Sequence, residues 1–342
     1  MNADEYRPPP PDEPVPGPAV TTVPADGQAD TGTDRRQRVG DLLDASPDLH
    51  YISWCTDGRC DHHDDRFADE GAEDTREACH KLARKASFQM DHPLHDWLID
   101  LGTGSLIRLV LQTDGGVAYC DQIIPGSYLF GAVLRLPDDP AERTDLVNRV
   151  DATVSGAVER YRDEIHAREY DLGGWRTEGL SDTLRAAQPH RPPATGIPEQ
   201  RTAATSLTVT GRADHPAVAV CRAAVRPYDL HLVALIENGR RVFCVDVLRD
   251  GQFDADGWAS AGDRRARYAQ VAVELPDYVR ELGRTARASI GGPLRRVVLD
   301  VESGAIYYRR IDESRYIVGL TLYQPRVGSA ERQLDAVLAA WP

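Results

Sequence analysis

Two rhythms of apolar and polar residues organise this chain: period-two stretches that predict strands, and stripes spaced three and four apart that predict helices. Leu49–Ile52 leads into Asp57-Gly58-Arg59, the pattern of a β-hairpin closed by a two-residue turn. Helical material follows. Cys79, Leu82, Ala83 and Ala86 share one face, and Pro93 opens a helix striped with Leu94, Trp97, Leu98 and Leu101. Three short strands then precede a closing helix. Asp139 is its expected N-cap, Pro140 its first residue and Glu142 the partner three beyond the cap, with Leu146, Val150, Val154, Ala157 and Tyr161 as the core stripe. Val39, Leu42 and Leu43 predict a short helix ahead of the hairpin, so the order is α-β-β-α-β-β-β-α.

The same succession recurs. Asp48-Leu49-His50-Tyr51-Ile52 and Asp57-Gly58-Arg59 return, 181 positions on, as Asp229-Leu230-His231-Leu232-Val233 and Asn238-Gly239-Arg240. Leu106–Leu111 returns 188 positions on as Leu294–Leu299. That register holds through Gly116/Gly304, Tyr119/Tyr307, Ile123/Ile311, Tyr128/Tyr316 and Gly131/Gly319. Two colinear blocks with matching turns mark an internal repeat. In the second copy Val218, Cys221 and Val225 predict the first helix, and Pro276 is expected to open a helix carrying Val279, Leu282 and Ala286. Strands are expected at Arg296–Val301, Ala305–Arg310 and Tyr316–Leu322, and Ser329 as the cap of a last helix with Leu334, Val337, Leu338 and Trp341. The reading divides the chain into a disordered Pro-rich tail (1–35), a first module (36–162), a linker (163–215) with a strand at Ser206–Thr210, and a second module (216–342).

The glycine-centred turn before Ala305-Ile306-Tyr307-Tyr308-Arg309-Arg310, followed by Tyr316-Ile317-Val318-Gly319-Leu320-Thr321-Leu322, resembles the roadblock/LC7 family. The likeness covers most of Ala217–Pro342 and, less closely, Arg36–Arg162. It implies an α+β, profilin-like fold in each module: a five-stranded antiparallel sheet flanked by helices. It also implies function through assembly, as a non-catalytic scaffold or regulator of a protein partner such as a small Ras-like GTPase, the two copies pairing as an internal pseudo-dimer or the chain as a homodimer. The first copy departs from the family in its acidic Cys60–His80 segment. A rival resemblance, to the YbjN/secretion-chaperone-like group, implies peptide binding instead.

Composition narrows the classes. The 342 residues carry 40 basic against 54 acidic side chains, a net charge of −14, which argues against a nucleic-acid protein. No apolar run reaches the roughly 20 residues that span a bilayer, and the polar Met1–Pro10 lacks the pattern of a secretory leader. Six cysteines without such a leader read as reduced thiols, and Arg replaces Lys everywhere but Lys81 and Lys85, so the expectation is a bacterial, cytoplasmic protein.

Candidate chemistry is sparse. Cys55, Cys60, His62 and His63, with Cys79-His80 downstream, are residue types that suit Zn²⁺, and they raise the alternative of a metal- or redox-responsive sensor. Their spacing is not the Cys-x2-Cys of zinc knuckles, and core cysteines with surface histidines are the ordinary expectation. Cys120, Cys221 and Cys244 fall on apolar positions, as core residues do. Gln252-x-Asp254-x-Asp256-Gly257-x5-Asp263 approaches a calcium loop but lacks its first Asp and terminal Glu, so it reads as an acidic loop. Phosphate-cradling, dinucleotide, metalloprotease and serine-hydrolase motifs are missing, so no cofactor, no catalytic residue and no enzymatic role are expected.

Overall fold

Both hairpins turn as their sequences require. Asp57 and Gly58 have φ of +48° and +71°, and Asn238 and Gly239 of +49° and +72°, the left-handed pair of a type I′ turn. In the computed structural model, residues 32–67, 72–174, 207–250, 253 and 260–342 are described, all within the unit Thr31–Pro342. The proline run, the 175–206 stretch of the expected linker and most of the acidic Gln252–Asp263 loop lie outside them.

The chain begins with α1 (Gly32–Ala45), β1 (Tyr51–Thr56), β2 (Arg59–Asp65), α2 (Ala72–Asp91) and α3 (Pro93–Asp100). It continues with β3 (Leu106–Thr113), β4 (Gly116–Ile124), β5 (Ser127–Leu134) and α4 (Pro140–Glu164). After β6 (Thr208–Gly211) come α5 (Ala217–Ala224), β7 (Leu232–Glu237), β8 (Arg240–Asp246) and α6 (Ala261–Ile290). Last are β9 (Leu294–Val301), β10 (Gly304–Arg310), β11 (Arg315–Thr321) and α7 (Val327–Ala339).

The described strands form one antiparallel sheet of 11, ordered β2-β1-β5-β4-β3-β9-β10-β11-β7-β8-β6. Each half has the order 2-1-5-4-3, written in opposite directions. The expectation of a separate five-stranded sheet per copy is therefore corrected. β3 and β9 are largely buried strands with apolar centres, and their edges pair with each other instead of ending two sheets. β6 adds a further strand beyond β8, through pairs from Thr208↔Asp246 to Gly211↔Phe243.

Repeated residues do repeated work. Tyr119 donates its hydroxyl to the carbonyl of Val147 at 2.8 Å, and Tyr307 to that of Val327 at 2.7 Å. His50 Nδ1 accepts the Leu134 amide, and His231 Nδ1 the Leu322 amide, each tying the start of a half's first strand to the end of its last. A Cβ at Gly131 or Gly319 would crowd Leu49 or Leu230 of the matched segments at 3.2 Å, and at Gly319 Leu334 at 2.9 Å, so glycine leaves room for leucines to close down on the sheet.

Helices cover both faces. α2, α3 and α6 pack on one, and α1, α4, α5 and α7 on the other. Asp139 caps α4 as its sequence demands, accepting the amides of Ala141 and Glu142, with Pro140 in the first turn. Two other expectations are corrected. Ser329 lies inside α7, because a 3₁₀ turn at Gln324–Arg326, nucleated at Pro325, starts the winding earlier. Pro276 lies inside α6 instead of opening a helix, so the second half carries one 30-residue helix where the first has α2 and α3. Proline supplies no N–H to the carbonyl four residues back. That carbonyl belongs to Ala272, and the buried hydroxyl of Tyr316 donates to it at 3.3 Å.

Candidate functional site

Where β3 meets β9, Val110 faces Val298, its own counterpart in the repeat. Pairs on either side are mirror-related: Leu109↔Leu299 and Leu111↔Val297, then Arg108↔Asp300 and Gln112↔Arg296. A pseudo-twofold axis thus passes through the Val110–Val298 pair, and both valines are wholly buried. On the α2 face the halves are joined helix to helix. Ser289 donates to the carbonyl of Ala78, Lys85 meets Glu281, and Trp97 stacks on Tyr278 at 4.4 Å while donating to Glu274.

On the α4 face the junction is polar. Arg108 is fully buried and donates to Asp300 of β9 at 2.6 Å and to Asp151 of α4, with Asp121 of β4 at 3.8 Å. Three carboxylates crowd around one guanidinium in a fully buried site. Burial, the largest influence, pushes Asp121 up to about 7 and Asp300 up to about 6, against the pull of Arg108. Ser155 donates to Asp121, and the Gly173 amide to Asp300, which draws the segment after α4 across the junction. The counterpart of Arg108 is Arg296, which reaches Glu331 and, at 3.4 Å, the neutral Gln112. Asp121 has Arg309 at its repeat position, and Arg309 also binds Glu331 and reaches Asp335. The two arginines beside Glu331 outweigh its burial and hold its carboxyl down at about 2.

The Cys/His segment is divided by the pleat of β2. Cys55 and Cys60 are register partners with sulfurs 2.8 Å apart, beneath α2. His63 lies on the same face, stacked on Tyr51 and edge-on to His80. His62, its strand neighbour, is in register with Trp54 on the opposite face. Among the described residues no three His, Cys, Asp or Glu side chains converge as a metal site. Cys79, Cys120, Cys221 and Cys244 are buried, their thiols pushed above the ordinary value chiefly by burial. Between α1 and α4 lies a cleft of 330 Å³ floored by Leu42, Trp54, Leu129 and Tyr161, with Arg38 and Glu164 paired at its rim.

The junction network was not legible as a site in the sequence. Its one signal is charge inside apolar strands: Arg108 in β3, Asp121 in β4 and Asp300 in β9 each interrupt a run of buried residues. A lone charge there needs a partner, but nothing local says which.

No protein-family model and no curated protein matches this sequence. Among solved structures the chain is similar to a roadblock/LC7 domain from Streptomyces avermitilis, at 13% identity and a TM-score of 0.27, over 39% of this chain and 98% of that one. It is also similar to MglB in a tetrameric arrangement, at 12% identity and a TM-score of 0.26, over 38% of this chain and 88% of that one. Among the described residues no helix is long and apolar enough to cross a membrane.

Proposed function

We propose that this chain is a non-catalytic interaction protein in which two roadblock-like halves are fused as a pseudo-dimer that scaffolds or regulates a protein partner. The observation that carries the reading is the pairing of β3 with β9 about the Val110–Val298 pair, with α2 and α6 packed over it. Such a junction occupies in one chain the edge that two separate subunits would use to assemble. A small Ras-like GTPase is the partner that the sequence resemblance implies.

The halves present unequal surfaces. The β8 edge is paired with β6, whereas β2 ends the sheet on the other side with the charged sequence Arg59–Asp65. Phe88 of α2 and Ile99 of α3 are about half exposed and belong to the first half alone. A fused scaffold with one distinctive end is expected to bind one partner per chain. Affinity purification of the tagged protein from its own cells, with GTP hydrolysis measured for each small GTPase recovered, tests this. Retention at one GTPase per chain or an altered hydrolysis rate is the expected result; neither with any of the host's small GTPases overturns the GTPase reading.

A further inference from the structure

We propose that Cys55 and Cys60 form a reactive dithiol, which a low-molecular-weight disulfide oxidises to an intrachain disulfide clamping the end of the β1–β2 hairpin. The two residues flank the Thr56–Arg59 turn as direct cross-strand partners. Antiparallel partners have Cα atoms about 4.5–5.5 Å apart, within the range a disulfide bridges. Their sulfurs, at 2.8 Å, need to close by less than about 1 Å to reach bonding distance. The cross-strand register already places the two sulfurs side by side.

The fold does not require thiols here. The repeat places Ile236 and Arg241 at the matched positions of the second half, and these are also register partners beside a type I′ turn. An apolar–charged pair closes that hairpin equally well. The pair is also chemically unequal, as a dithiol that reacts in a set order must be. Cys60 is partly exposed and Cys55 is buried. The hydrogen bond from Cys55 is the main influence holding the Cys60 thiol below its ordinary pKa, helped by Ser53 and by Arg84 of α2. The same hydrogen bond, with burial, pushes the Cys55 thiol well up. The four other cysteines are buried.

The reaction is ordinary thiol–disulfide exchange. The Cys60 thiolate attacks one sulfur of the disulfide, forming a Cys60 mixed disulfide and releasing one thiolate, which takes up a proton. Cys55 then gives up its proton and displaces the second thiol from Cys60. The protein dithiol loses two electrons and the small disulfide becomes two thiols. The proposal stands independently of the partner reading.

The test equilibrates the reduced full-length protein with buffers of rising oxidised-to-reduced glutathione ratio, blocks remaining thiols with N-ethylmaleimide, and maps tryptic peptides by mass spectrometry. Cleavage at Arg59 separates the two cysteines, so an intrachain bond appears as two linked peptides. The expected result is loss of two of the six thiols together, both in that linked species. C60S should abolish the loss, while C55S should leave a single glutathionyl adduct on Cys60. In the reduced native protein, Cys60 should alkylate roughly tenfold faster than the other five cysteines. Full alkylation of both residues across the glutathione series overturns the proposal, and so does oxidation spread over the buried cysteines. The linked-peptide readout uses the wild-type chain and holds even where a variant misfolds.

Discussion

Arg108 donates to Asp300 at 2.6 Å across the β3–β9 junction, while the arginine related to it by the repeat, Arg296, meets the neutral Gln112 at 3.4 Å. The pseudo-symmetry is thus kept in the backbone and broken in the charge. Among the described residues Arg108 is the one cation paired with Asp121, Asp151 and Asp300. Arg108→Leu is therefore expected to destabilise the protein by about 3–5 kcal/mol, because it strands buried carboxylates without a counter-charge. Urea denaturation followed by circular dichroism measures it, and a loss below about 1 kcal/mol would show that the network contributes little.

The same cluster predicts a pH dependence. Asp121 is pushed up to about 7 in the folded chain, against an ordinary value near 3.9 when unfolded. Between those values the folded state holds the extra proton, so this group's contribution to stability falls as pH rises from about 4 to about 7. Asp121→Asn removes that contribution. The stability of wild type minus that of D121N should decline across this window and flatten on either side. A difference that is level with pH, or that rises, contradicts the assignment. Taking the difference cancels His231, which burial holds down at about 4 and which acts in the opposite direction.

Pro276 and Tyr316 should be coupled. Pro276→Ala restores an amide to the carbonyl of Ala272 and is expected to stabilise the protein by about 1–3 kcal/mol. Tyr316→Phe in the wild-type chain leaves that carbonyl without its donor and should cost about 1 kcal/mol. In the P276A background the cost should shrink, since the helix then supplies its own bond. A double-mutant cycle by chemical denaturation reads the coupling directly, and strict additivity would disprove the compensation.

Two glycines should respond differently to alanine. A Cβ at Gly304 would sit 2.1 Å from the carbonyl oxygen of Thr321, so the β10–β11 pairing has to shift. At Gly239 nothing lies within 4 Å, and only the φ of +72° opposes a side chain. G239A is expected to cost about 1 kcal/mol. G304A should cost more, about 2–3 kcal/mol, as overpacking does. Thermal melts of both variants at one pH suffice to rank them.

Much of the fold was legible where the deciding interactions are local. Asp57-Gly58 and Asn238-Gly239 form their hairpins because those residues tolerate left-handed backbone, and Asp139-Pro140 starts α4 because the cap and the fixed φ act within one turn. Pro276 and Ser329 misled for the complementary reason. A proline or a serine at a plausible helix start says nothing about Tyr316, which satisfies the freed carbonyl from another element, or about the earlier turn at Pro325. Of the candidate metal residues, the strand period already separates His62 from His63. That Cys55 and Cys60 can approach each other follows from the two-residue turn they flank, whereas the register shift beyond them, between Trp54 and Cys55, decided that His63 and not His62 shares their face.

By itself the sequence determined the repeat, the alternation of strands and helices and the residues that turn and cap them, since each of these rests on neighbours a few positions apart. Only the tertiary structure decided that the two halves share one sheet, that Val110 meets Val298, and that Arg108 finds Asp300. Those outcomes depend on which strand edges are left free once each half has folded, and on buried charges seeking partners far along the chain, and no local pattern encodes either.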